Sequence, residues 1–103
     1  MSNYVLVFDE VILGQLKKLG KDKPTRELLS KMLDKIEENG PMAGKLLDSR
    51  LHLFEVKAMH PPIRLYYKIN ELAKEAYVFE FEMKTSPEKQ NRTIAKIREK
   101  SKP

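Results

Sequence analysis

Apolar positions change their period along the chain, and the changes mark the elements. Tyr4 to Phe8 (YVLVF) is a short β-rich run that reads as a strand or an extended N-terminal arm. Ile12, Leu16 and Leu19 then recur at i, i+4 and i+7, after the acids Asp9 and Glu10 that favour a helix start and before Gly20, which stops it. Lys17 and Lys18 fall near the negative C-terminal end of that helix. A second helix runs from an Asp22 cap, with Pro24 in its first turn, to Asn39-Gly40-Pro41. Leu28, Leu29, Met32, Leu33 and Ile36 form its apolar stripe; Lys31, Asp34, Lys35, Glu37 and Glu38 cover the other side. Two adjacent amphipathic helices with a short link predict a helical hairpin.

Beyond Gly40 the period falls to two. Leu51–Lys57, Ile63–Ile69 and Ala76–Glu82 read as three strands joined by the Met59-His60-Pro61-Pro62 turn and the polar stretch 70–75, an antiparallel meander. Alternation places Ile63, Leu65, Tyr67 and Ile69, and likewise Tyr77, Phe79 and Phe81, on an apolar face packed against the hairpin. The opposite face then carries Glu55, Lys57, Arg64, Tyr66, Lys68, Glu80 and Glu82. Thr85-Ser86-Pro87-Glu88 has capping-box spacing and a first-turn proline, so a last helix starts there; its end is basic with Lys96, Arg98, Lys100 and Lys102. The expected fold is α+β: an N-terminal strand and helical hairpin packed on an antiparallel sheet, with a C-terminal helix. No repeat or linker divides it, so residues 1–103 are expected to form one domain.

Composition narrows the chemistry. Twenty Lys plus Arg against fifteen Asp plus Glu give a net charge of +5 and a pI near 9.4, which suits an RNA, DNA or acidic protein partner. Without Cys there is no disulfide, thiolate metal site or Cys nucleophile, and His52 and His60 alone do not suggest a metal centre. No cofactor is expected. No apolar run approaches the ~20 residues that span a bilayer, and no signal peptide is visible, so a cytoplasmic location away from membranes is expected. With no Trp and 8% aromatic residues, base-stacking surfaces are sparse.

Four short segments, in order, resemble one family. Gly40-Pro41-Met42-Ala43-Gly44-Lys45-Leu46 resembles its loop after the second helix, and Leu53-Phe54-Glu55-Val56-Lys57 its L-aromatic-E-L-R strand. Ile63-Arg64-Leu65-Tyr66-Tyr67 resembles its Y-R-I-x-Y strand, and Phe81-Glu82-Met83-Lys84-Thr85 its F-x-K-K strand end, followed by Pro87 and an I-A-x-x-R helix at Ile94-Ala95-Lys96-Ile97-Arg98. The chain is similar to the RelE/ParE toxin superfamily, especially its phage-derived RelE-like branch that includes HigB-type toxins. Lys57 departs from the usual Arg, Met83 from the first Lys of the pair, and no aromatic follows Phe81.

The resemblance implies a type II toxin–antitoxin toxin that cuts mRNA on the ribosome without a metal. It also implies a cognate antitoxin, with a heterotetramer as an assembly that such pairs form. In that reaction the RNA 2′-hydroxyl attacks the adjacent phosphorus and expels the 5′-oxygen. Arg64 is the candidate for holding two phosphate oxygens in one plane, Lys57 for a base or phosphate anchor, and Lys84 for the leaving-group side. Tyr66, Lys68 and Arg98 are candidates for substrate binding, and Glu82 and His60 for acid–base work. The plainer expectation for Arg64 is an ion pair with Glu55 or Glu80, and for Tyr66 ordinary packing. Glu80 and Glu82 oppose phosphate binding on the same face. Two other readings are a ParE-like inhibitor of DNA gyrase and a decayed member that binds RNA or protein without turnover.

Overall fold

The computed structural model describes residues 3–83 and 86–102. In chain order these form β1 (Val5–Phe8), α1 (Glu10–Leu19), α2 (Lys23–Asn39), a short 3-10 turn (Gly40–Ala43), β2 (Lys45–Asp48), β3 (Leu53–Met59), β4 (Pro62–Asn70), β5 (Glu75–Met83) and α3 (Pro87–Ser101). Both hairpin helices start where their caps demand. Asp9 accepts from the Val11 N–H at 3.0 Å, and Asp22 accepts from the Thr25 N–H at 3.3 Å.

The five strands make one mixed sheet in the order β1-β5-β4-β3-β2. Two features depart from the expected antiparallel meander. First, β1 pairs parallel to β5, Val5 opposite Glu75 and Phe8 opposite Val78. The helical hairpin returns the chain before the meander begins, so β1 lies beside a strand about seventy positions away that no local pattern reveals. Second, β2 adds an edge strand on β3, beginning inside the segment expected to be a loop and running two residues past it. It has only four residues and a register shift between Leu46 and Asp48, too short and irregular to show alternation.

Ile12, Leu29, Met32 and Ile36 of the hairpin pack against Val56, Ile63, Leu65, Tyr67, Ile69, Ala76, Val78 and Phe81 of the sheet. Phe81 and the β4 residues hold their expected side, but Tyr77 and Phe79 do not. A register shift opposite Tyr66 and Tyr67 sets Tyr66 against Glu80 and Tyr67 against Val78, leaving Phe79 as the extra residue. Phe79 therefore joins Leu53, Tyr66 and Ile97 in a second cluster, flanked by Tyr77 and Ile94, under α3. The face expected to be polar and open is thus partly apolar and covered by a helix.

The N-terminal strand is fixed by one tight contact. Gly40 takes φ +53°, the left-handed region, directly against the Tyr4 ring, so a Cβ there would collide with it. The Tyr4 hydroxyl donates to Glu71 at 2.7 Å, and the buried Tyr67 hydroxyl donates to the Gly40 carbonyl at 2.9 Å. α3 is fixed through charge as well as packing. Burial pushes the Glu80 carboxyl above its ordinary range, partly offset by Lys96 and Lys100; the Lys96 ammonium lies at 3.9 Å and is largely exposed.

Gly40→Ala is expected to cost about 3 kcal/mol through backbone strain plus overpacking, seen as a lower midpoint in urea unfolding. In a Tyr4→Ala background only the backbone share should remain. Glu80 should behave in the opposite sense to a paired carboxylate. Its folded pKa is raised, so its ionisation costs stability as pH rises through that value, and stability returns as pH falls through it. Glu80→Gln is expected to leave stability at neutral pH unchanged or slightly higher and to flatten that pH dependence. A loss above about 1 kcal/mol, roughly the free energy of one pKa step, would show that the lysines govern the site instead.

Candidate functional site

The polar sheet face reads as rows across β3, β4 and β5. At the hairpin tip Met59 opposes Pro62. Next come Lys57, Arg64 and Glu82, then Glu55, Tyr66 and Glu80, then Leu53, Lys68 and Tyr77. Directly opposed side chains have Cβ atoms about 5 Å apart, so Lys57 and Arg64 are near enough to share one phosphate. Lys57 is exposed and Arg64 partly so. Together with Met59 and Pro62 they line a recess of about 130 Å³.

Below that row the face is acidic and closed. Arg64 donates to Glu55 Oε1 at 3.0 Å, and Gln90 of α3 donates to the other Glu55 oxygen at 3.2 Å. Glu55 is 3% exposed, so its charge is neutralised within the protein. The Tyr66 hydroxyl donates to Glu82 Oε1 at 2.6 Å, and Thr93 of α3 donates to Glu82 Oε2 at 2.8 Å. Burial, followed by the Glu82 hydrogen bond, pushes the Tyr66 phenol far above its ordinary range and keeps it neutral. The α3 residues Gln90 and Thr93 were not singled out from sequence. Gln90, Thr93, Ile97 and Ser101 recur at helical spacing, but a stripe with three polar members is invisible to a search for hydrophobic periodicity.

The expected site residues do not all converge. Lys57, Arg64 and Glu82 share one row, and exposed His60 sits in the turn just beyond it. Lys84 lies outside the described residues, as does Thr85 of the expected capping box; Ser86 caps α3 instead, accepting from the Lys89 N–H at 3.3 Å. Tyr66, expected to be partly exposed and able to stack on a base, is 1% exposed beneath α3, because the bulge turns Phe79 to its side and α3 sets Ile97 against it. Lys68 is two rows from Arg64 and donates to the Ser101 carbonyl at 3.1 Å. Arg98 pairs with Asp48 of the edge strand at 3.0 Å. Neither Lys68 nor Arg98 joins the Lys57–Arg64 row.

A larger opening of about 670 Å³ lies at the other end of this face, beside Asp9, Lys68, Tyr77, Phe79 and Lys100. Its two lysines are engaged within the protein, Lys68 with the Ser101 carbonyl and Lys100 with Asp9. Asp9 accepts from the Tyr77 hydroxyl at 2.7 Å and from Lys100 at 3.0 Å. Burial alone would raise the Asp9 pKa, but these donors and the Val11 N–H hold it below the usual carboxylate range. The same hydrogen bond, with burial, pushes Tyr77 up to about 12. These contacts anchor the end of α3 and leave no unmatched cation for a ligand phosphate. The exposed cations at the tip make the smaller recess the better candidate site. Among the described residues no group of His, Cys, Asp and Glu could hold a metal, and no helix is long and apolar enough to cross a membrane.

No family model and no curated protein sequence matches the chain. Solved structures do. The isolated E. coli RelE toxin aligns at 26% identity over 91% of this chain and 98% of its own, with a TM-score of 0.66. A double arginine-to-alanine mutant of E. coli RelE in the free state aligns at 26% identity over 94% and 99%, with a TM-score of 0.70. The RelBE2 toxin–antitoxin complex of Mycobacterium tuberculosis, at 17% identity over 84% and 97% with a TM-score of 0.65, shares the fold. These alignments place the chain's fold in the RelE-like toxin superfamily.

Proposed function

We propose that this protein is the toxin of a type II toxin–antitoxin pair and cleaves mRNA on the ribosome without a metal. The observation that carries the reading is the Lys57–Arg64 pair, two cations side by side at the open end of an otherwise covered face. The RelE neighbours include an intact E. coli RelBE toxin–antitoxin complex, at 27% identity over 81% of this chain and 99% of that one. A cognate antitoxin is therefore the partner proposed here, in the cytoplasm. Placement in the HigB-type branch rests on the sequence motifs alone.

Arg64 offers a planar fork to two non-bridging oxygens and stabilises the charge that builds on them as the 2′-oxygen bonds to phosphorus. Glu55 holds that fork in place from below. Lys57, in its neutral amine form, accepts the 2′-hydroxyl proton and, once charged, lies beside the same phosphate. The P–O5′ bond breaks, leaving a 2′,3′-cyclic phosphate, and the departing oxygen takes a proton from Lys84 or His60. Glu82 already accepts from Tyr66 and Thr93, so its role here is to hold Tyr66 and α3 rather than to act as the base.

One observation favours a second reading. Two cations of this face, Arg64 and Lys68, are already engaged by protein acceptors, as expected of a member that binds without turnover. Activity separates the two. Arg64→Ala would also strand buried Glu55, at a cost of up to about 3 kcal/mol, so Arg64→Lys is the sharper variant. It keeps the charge but loses the planar fork. Arg64→Lys is expected to retain most stability and to lower codon-linked cleavage, read by primer extension after controlled expression, by about 10²-fold or more. Normal cleavage by Arg64→Lys would remove the assignment. DNA-damage signalling by the unaltered protein without mRNA cuts would point to gyrase instead.

A further inference from the structure

The net charge of the molecule does not reside at the candidate site. There Arg64 and Lys57 meet Glu82 in their own row and Glu55 in the next, and the local charges cancel. Two segments carry the excess: the end of α3, where Lys96, Arg98, Lys100 and Lys102 are paired with carboxylates, and the turn between α1 and α2. In the ten residues 17–26, Lys17, Lys18, Lys21, Lys23 and Arg26 stand against the single carboxylate of Asp22, a net +4 of the chain's +5. All five are exposed. Among the described residues none of them forms an ion pair; the nearest carboxylates in sequence, Glu10 and Glu27, do not reach them.

Folding accounts for only part of this. Lys17 and Lys18 suit the end of α1, and Arg26 donates to the Gly20 carbonyl at 3.0 Å. Lys21 and Lys23 do not suit their place. They flank the positive end of α2, whose first turn contains no acid, so the helix dipole opposes them. Five like charges in one turn repel one another, and the fold gains nothing from Lys21 or Lys23 that a neutral residue would not give.

The turn also stands at the functional end of the molecule. The Asp9 N–H donates to Val78, and Gln15 exchanges hydrogen bonds with the Phe81 backbone at 2.8 and 2.9 Å. α1 therefore advances in the direction of β5. The C-terminal end of α1 thus lies toward the Met83 end of β5, and Met83 pairs with Ile63, one residue from Arg64.

We infer that the α1–α2 turn is a docking surface for the phosphate backbone of helical RNA, supplying the long-range attraction that the locally neutral cleavage site lacks. The inference rests on the RNA reading above, but it assigns affinity and cleavage to different residues. A helical backbone is favoured over a single strand because the turn offers spaced lysines with no aromatic ring among residues 17–26 on which a base could stack.

The test is binding of the full chain to a short RNA duplex across roughly 50 to 200 mM salt, comparing the unaltered protein with a fourfold Lys17→Gln, Lys18→Gln, Lys21→Gln, Lys23→Gln variant. The slope of log affinity against log salt is expected to fall by between about three and four, since each of the four neutralised phosphates contributes a little under one. Far-UV circular dichroism should be unchanged, because all four side chains are exposed. An unchanged slope overturns the inference. So does unaltered protein that binds anionic phosphatidylglycerol vesicles but not the duplex. Arg64→Lys should bind the duplex as the unaltered protein does. If the fourfold variant loses binding while Arg64→Lys still cleaves, the docking surface stands and the cleavage assignment falls; if Arg64→Lys loses cleavage while the fourfold variant binds normally, the reverse holds.

Discussion

Three carboxylates on one sheet face, Glu55, Glu80 and Glu82, dictate much of how this protein is put together. A carboxylate removed from water must find donors or give up its charge. Glu55 takes Arg64 and Gln90, and Glu82 takes Tyr66 and Thr93. Glu80 has only a distant, exposed lysine, and its proton affinity rises accordingly. Most of the donors outside the sheet come from α3. The helix has a thin apolar stripe and would hold poorly by Ile94 and Ile97 alone; its polar positions supply what the sheet beneath it requires. α3 is thus attached by matched polar groups on a small apolar base.

This arrangement gives the molecule two different interiors. Between the hairpin and the sheet lies a conventional apolar core. Between the sheet and α3 lies a layer in which hydrogen bonds and a buried ion pair alternate with Leu53, Tyr66 and Phe79. The second layer is the less tolerant of partial disruption, since removing one partner leaves the other buried and unmatched. The cations nearest to this layer that reach solvent lie just past its edge, where Lys57 and Arg64 emerge at the hairpin tip.

Much of the fold was legible in sequence because local signals carried it. Caps at Asp9 and Asp22, the stop at Gly40 and the apolar stripe of α2 placed both hairpin helices within a residue or two. Strands β3, β4 and β5 followed from alternation. The missed features have separate causes: the parallel pairing of β1 depends on a partner far away in sequence, the edge strand β2 is too short and irregular to show alternation, and the bulge at Phe79 breaks the alternation within β5. At the candidate site, the shared row of Lys57, Arg64 and Glu82 could be read from alternation, and the Arg64–Glu55 pair was one of the two partners expected. The burial of Tyr66 and the diversion of Lys68 and Arg98 could not, because they depend on where α3 lies. Gln90 and Thr93 show why: a helix that binds by polar complementarity leaves no hydrophobic signature.

The extra residue in β5 has a further consequence. A strand presents alternate residues to opposite sides, so one inserted position reverses the phase of everything beyond it. Here the reversal lets Ala76 and Val78 face the hairpin, lets Phe79 face α3, and then returns Phe81 inward while Glu80 and Glu82 point toward the helix. The segment Tyr77–Glu82 thereby serves two layers of opposite character with a single strand. Relatives that shorten this stretch by one position would have to exchange the characters of the two layers or move the offset elsewhere. The length of β5 is therefore as much a determinant of the polar layer's identity as the residues that compose it.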